Sequence, residues 1–116
     1  QLKMSTDQIL FFDNLNEISG GDESFNKEML ALFCSSSKET LANMDLSIQK
    51  KDFESFGKLA HKIKFSINLI GSEELKQIVL ELENNNEYPQ NETLNRYQVF
   101  KTKVQLMIDY IEAEYQ

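Results

Sequence analysis

The strongest constraint on this chain is how few places it has to stop a helix: one proline, Pro89, and four glycines in 116 residues. Proline and glycine are the usual helix breakers, whereas Leu, Lys, Glu and Gln, all plentiful here, favour helix. The chain therefore reads as mostly helical. At 41% hydrophobic and 27% charged it has the composition of an ordinary globular protein, so disorder is not the expectation. Its length suits a single domain over residues 1–116, with room for one core but not for a core plus a separate nucleotide-binding unit.

Punctuation and apolar spacing divide the chain into helices. A short leading helix is expected near residues 13–19, followed by a turn at "SGGD" in which Asp22 caps the next helix. That helix places Phe25, Met29, Leu32 and Phe33 on one face, and Leu41, Met44 and Ile48 continue the stripe with a shift. The serines at 35–37 are a candidate bend. "QKKD" is the next turn, with Asp52 as cap for a helix from Phe53 to about Ile70. Gly71 stops it, and Ser72, Glu73 and Glu74 start a helix bearing Leu75, Ile78, Val79 and Leu82. "NNNEYPQN" reads as a loop, after which Asn91 is expected to cap a last helix whose Tyr97, Phe100, Val104, Met107, Ile108, Ile111 and Tyr115 share a face. Four amphipathic stretches joined by short turns predict an all-α antiparallel four-helix bundle with a short additional N-terminal helix.

Composition narrows the function. A formal charge of -7 disfavours nucleic acid as a partner, because phosphate contacts need a basic face. No apolar run is long enough to span a bilayer and no basic leader precedes an apolar stretch, so direct membrane contact is not expected and a cytoplasmic location is. The lone cysteine, Cys34, reads as a small helix residue rather than a reactive thiol. Asn91, Glu92 and Thr93 spell a glycosylation acceptor, read as a chance match without a secretion signal.

The only histidine, His61, is the candidate for chemistry. On a wheel of the 53–70 helix, Leu59, Ile70, Ile63, Phe56, Ile67, Ala60 and Phe53 fill an arc of roughly 120°, and His61 lies about 140° from its centre. It points outward. Gly57 and Lys58 sit one turn before it, Lys64 and Phe65 one turn after, and Asn68 two turns after. Gly57 costs helix stability, about 0.5 to 1 kcal/mol relative to Ala, and is expected to leave open space beside the ring. Phe65 and Leu69, four apart, add an apolar patch on the solvent side, as a docking surface would. Lys50, Lys51, Lys58, Lys62 and Lys64 fall within fifteen residues, a basic spot that would steer an acidic partner. Cations around an imidazole favour its neutral, nucleophilic form, and Lys64 is placed to neutralise a phosphoryl group on the ring.

These residues resemble the histidine-containing phosphotransfer (HPt) domains of multistep phosphorelays. The family pattern, Ala-His-x-(Leu/Ile)-Lys-Gly-(Ser/Ala), then a Gly, then a helix ending in Leu-Glu, is matched by Ala60, His61, Ile63, Lys64, Ser66, Gly71, Leu82 and Glu83. "ISGGDESFNKEMLALF" is similar to the family's entry into its second helix, and "KKDF" stands where Gly-Asp is common. Phe65 occupies a position usually held by Gly, and Lys38 one where Pro is common. The resemblance implies a phosphoryl carrier in which His61 accepts from a receiver domain's phosphoaspartate and passes the group to another receiver's aspartate. Lys64 then stabilises phosphoryl charge, and Gly57, Lys58, Lys62, Phe65, Asn68 and Leu69 form the receiver-binding face. The domain would be a monomer without kinase activity and without a cofactor or metal of its own, magnesium belonging to the receiver. It could be free-standing or the terminal domain of a hybrid sensor histidine kinase. The alternative is a non-catalytic adaptor of the same shape that docks receivers without efficient transfer.

Overall fold

The computed structural model describes residues 20–70 and 72–115, with the side chains of Ile70, Glu114 and Tyr115 left aside. Four helices follow in order: α1 Glu23–Gln49, α2 Phe53–Ile70, α3 Glu73–Glu83 and α4 Gln90–Tyr115, with a 3-10 turn at Asn85–Glu87 between the last two. The expected short leading helix lies outside the described residues.

Each junction has a local cause. Asp22 accepts from the Phe25 N–H at 3.0 Å and caps α1. α1 then runs without a break through the serines at 35–37, where a bend was a candidate. It ends with Lys51 N–H on the Ile48 carbonyl at 3.0 Å and Asp52 N–H on that of Ser47 at 2.8 Å, the paired bonds of a Schellman closure. That closure needs a left-handed residue, and Lys51 takes the conformation at φ 56°. A lysine there costs about 1 kcal/mol that glycine would not. Asp52 at once caps α2, its carboxylate accepting from the Ser55 N–H at 3.0 Å and hydroxyl at 2.7 Å, which holds the carboxyl below its usual range. Ser72 caps α3 through the Leu75 N–H at 3.3 Å. At α4 the expected cap moves: the Pro89 carbonyl accepts from Glu92 at 3.1 Å and Thr93 at 3.2 Å, so Asn91 lies inside the first turn. Pro89 has no N–H to leave unpaired, which suits it to that entrance.

Contacts across the helices fix the topology. Asn85 reaches Phe53 while Glu83 reaches His61, so α2 and α3 are antiparallel. Glu81 with Arg96 and Glu74 with Lys103 give the same sense for α3 and α4. Asp45 with Lys101 and Lys38 with Glu112 close the ring between α1 and α4. The result is an antiparallel four-helix bundle measuring 42 × 26 × 22 Å.

Its core is built from Leu30, Phe33, Leu41 and Met44 of α1, Phe56, Ala60, Ile63 and Ile67 of α2, Leu75, Val79 and Leu82 of α3, and Phe100, Val104, Ile108 and Ile111 of α4. Phe56 meets Tyr97 edge to face at 5.1 Å. Two residues expected on the α1 stripe, Phe25 and Leu32, are exposed instead, and Leu30, Ser37, Thr40 and Ser47 take the inward positions. Cys34 is buried, which pushes its thiol up to about 11, as fits a packing residue. No helix among the described residues is long and apolar enough to cross a membrane.

Candidate functional site

The close approach of α3 to α2 creates the site. α3 has 11 residues and runs back along α2 until the carbonyl oxygen of its last residue, Glu83, lies against Gly57, one turn inside the start of α2. From there the Glu83 side chain reaches His61, one turn further along α2. The core face of α2, with Phe56, Ala60, Ile63 and Ile67 buried, turns the His61 side chain outward, where it is 67% exposed.

Glu83 Oε2 lies 2.5 Å from His61 Nδ1, and Glu83 Oε1 accepts from Lys64 Nζ at 2.8 Å. One carboxylate thus bridges the histidine and the lysine three residues on. A carboxylate can only accept, so the contact requires a proton on Nδ1. In the neutral ring that leaves Nε2 with its lone pair, not engaged by Glu83, as the nucleophilic nitrogen. Hydrogen bonds first from Lys64 and then from His61 hold the Glu83 carboxyl below its usual range against the opposing effect of burial. The arrangement also offsets a local penalty, because an acidic side chain in the last turn opposes the helix dipole and α3 has no basic residue there.

Gly57 acts differently from expectation. Instead of leaving space beside the ring, it lets the end of α3 approach: a Cβ there would lie 2.9 Å from the Glu83 carbonyl oxygen and 3.2 Å from Asn85 Nδ2. A groove of about 770 Å³ flanks His61, with Gly57 and Lys58 on one wall and Asn84 and Tyr88 on the other. Lys58 pairs loosely with Glu54 at 3.7 Å, and at such exposure this pair contributes little. Lys62 and Phe65 project into solvent, Phe65 being 76% exposed. Asn68 is exposed on a separate shallow groove that it shares with Lys64, Lys76 and Leu80.

Two further expectations need correction. Leu69 is half-buried and packs against the core, so the exposed apolar feature beside His61 is Phe65 without it. The charge nearest the imidazole is the carboxylate of Glu83, not a cation, and Lys64 is ion-paired at 29% side-chain exposure. In the sequence Glu83 belongs to the family pattern without a part in the site. An acidic residue at a helix C-terminus opposes the dipole, but this is a weak signal, since none of the four helices has a basic residue in its last turn. Asn85, whose Nδ2 bonds the carbonyls of Phe53 at 3.1 Å and Leu82 at 2.9 Å, had no such signal. Among the described residues no group of three or more His, Cys, Asp and Glu could hold a metal ion.

The family model of the Hpt domain matches residues 28–114. That span takes in most of α1 and all of α2 and α3, as well as nearly all of α4. No match was found among curated proteins or among solved structures.

Proposed function

Since the chain belongs to the Hpt domain family, whose members serve histidine phosphotransfer in phosphorelays and interact with receiver domains, we propose that His61 is its phosphoryl-accepting residue. In the forward step the Nε2 lone pair attacks the phosphorus of a receiver's aspartyl phosphate. A P–N bond forms, the P–O bond to the aspartate breaks, and the aspartate leaves as carboxylate. The ring keeps its Nδ1 proton and becomes cationic, and Glu83, already bonded to that proton, compensates the new charge. The reverse step onto a second receiver's aspartate follows the same path. Lys64 lies one turn from His61 and can turn from Glu83 to the phosphoryl oxygens, stabilising negative charge where it arrives. The domain contributes a positioned nucleophile, and positioning is the main protein contribution to phosphoryl transfer.

The observation that carries this reading is the 2.5 Å contact of Glu83 with Nδ1 on a histidine that is otherwise two-thirds exposed. Phe65, the most exposed large apolar residue near the ring, is read as an anchor for the receiver, with Lys58 and Lys62 steering its acidic surface. The reading takes the domain to work as a cytoplasmic monomer with no cofactor of its own. The test is incubation with a phosphorylated receiver. An acid-labile, base-stable phosphate on the wild type and none on a folded His61→Gln variant is the expected result. Equal labelling of both proteins removes His61 from the role, and stable receiver binding without any label replaces the carrier with an adaptor.

A further inference from the structure

The carboxylate that orients His61 stands at the end of a helix, and helix ends are the part of a bundle most free to fray. Two residues outside the His-x-x-Lys segment hold this one in place. Asn85 lies two residues beyond Glu83, and its Nδ2 donates to both the Leu82 carbonyl at the end of α3 and the Phe53 carbonyl in the first turn of α2. Both acceptors are carbonyl oxygens, so only the amide nitrogen can serve there, and its two protons match the two bonds. The first bond satisfies one of the carbonyls a helix leaves open at its C-terminus, and the second ties that end to α2. Gly57, one turn before His61, sets the distance. It is buried, and the 2.9 Å between its would-be Cβ and the Glu83 carbonyl oxygen means that any side chain must push backbone, not a flexible tip.

We propose that Gly57 and Asn85 are positioning residues that clamp the end of α3 onto α2 and so lock the Glu83 carboxylate on Nδ1, selecting the His61 tautomer whose Nε2 is free to react. The inference rests on the reading of His61 as the phosphoryl acceptor, but the tautomer itself can be read without any transfer. A methyl group at position 57 moves the carbonyl, and with it the Glu83 side chain, by a few tenths of an ångström. Loss of the Asn85 amide releases the same end without adding bulk. Neither residue need touch a phosphoryl group to have its effect.

The experiment is NMR of the wild-type, Gly57→Ala and Asn85→Ala proteins carrying 15N-labelled histidine, at a pH where the ring is neutral, alongside transfer rates from a phosphorylated receiver. The wild type should show one tautomer with the proton on Nδ1, and both variants should show a mixture. At saturating receiver the variants should transfer about 3- to 10-fold more slowly, less than the roughly 100-fold loss a full 1 Å misplacement can cause. Receiver affinity should stay within about twofold of wild type, since the contact surface is unchanged. Folded variants that keep the single Nδ1-protonated form overturn the proposal, and if Gly57→Ala fails to fold, Asn85→Ala decides alone. A shifted tautomer in a protein that never accepts phosphate supports the clamp and removes the phosphoryl reading instead.

Discussion

Two carboxylates in this bundle are arranged almost alike and do different things. Between α1 and α4, Asp45 accepts from the Tyr97 hydroxyl at 2.5 Å and from Lys101 Nζ at 2.6 Å. Between α2 and α3, Glu83 bonds His61 at 2.5 Å and Lys64 at 2.8 Å. Each acid shares itself between a lysine and a neutral proton donor on another helix. Tyr97, however, is only 5% exposed, and its hydroxyl also lies 3.1 Å from the Leu41 carbonyl, so burial and the Asp45 charge push its ionisation far up. Its proton stays where it is. His61 is exposed, with a second nitrogen that its acid does not engage. The same three-part chemistry therefore makes a structural tie where the donor is enclosed, and a candidate reactive group where it is open to a partner.

The comparison can be broken from either side, most severely at the enclosed cluster. Tyr97→Phe removes a charge-assisted bond, so unfolding by denaturant should show a loss of about 1.5 to 3 kcal/mol. Receiver transfer by the folded protein should be unchanged, and a matching loss of transfer would mean that the clusters are not separate. At the open cluster the costs should fall on the partner instead. Phe65→Ala should weaken receiver binding by about 1 to 3 kcal/mol, as for an interface anchor, while the unfolding midpoint stays in place. Titration calorimetry with the receiver measures the first and denaturation the second. Faster transfer with unchanged or tighter binding would make Phe65 an obstruction rather than an anchor. Lys64→Ala should slow single-turnover transfer by about tenfold, or about 1.4 kcal/mol, with little change in receiver affinity. Equal losses in affinity and kcat/KM with single turnover intact would move Lys64 to the docking surface.

The smallest effect concerns pH. Glu83 is held below its ordinary range in the folded protein, so its bonds add stability that is fully present above the unfolded carboxylate value. That contribution is lost as pH falls through the depressed folded value, because the unfolded chain then binds the proton more readily. Denaturation curves followed from neutral pH downward should show a shallower decline in Glu83→Gln than in wild type. Parallel curves would show that the Glu83 bridge adds nothing to stability.

What the sequence revealed follows the same division between local and tertiary causes. The face of α2 was legible because large apolar residues recur on it at helical spacing, and that alone aimed His61 at solvent. α1 was less so. Its inward face uses Ser37, Thr40 and Ser47, and Ser47 satisfies its hydroxyl on the Asn43 carbonyl at 3.1 Å, which lets a polar residue sit inside without an apolar signal. The start of α4 was misplaced because a carbonyl of Pro89, not an Asn side chain, receives the first N–H groups. At the site, the histidine and lysine share one helix and could be paired by counting. Glu83 is 22 residues from His61, and its role depends on where a short helix happens to end. Gly57 was visible as an oddity, but the reason for it, the Glu83 carbonyl, belongs to another helix.

The central claim is that Glu83 holds the Nδ1 proton and thereby offers Nε2 to the receiver. The most direct measurement is where the phosphoryl group resides once a phosphorylated receiver has labelled the protein, read by 31P and 15N NMR with labelled histidine. The account predicts a P–N bond to Nε2 of His61, with the proton still on Nδ1. A phosphoryl group on Nδ1, or on any other residue, would contradict it.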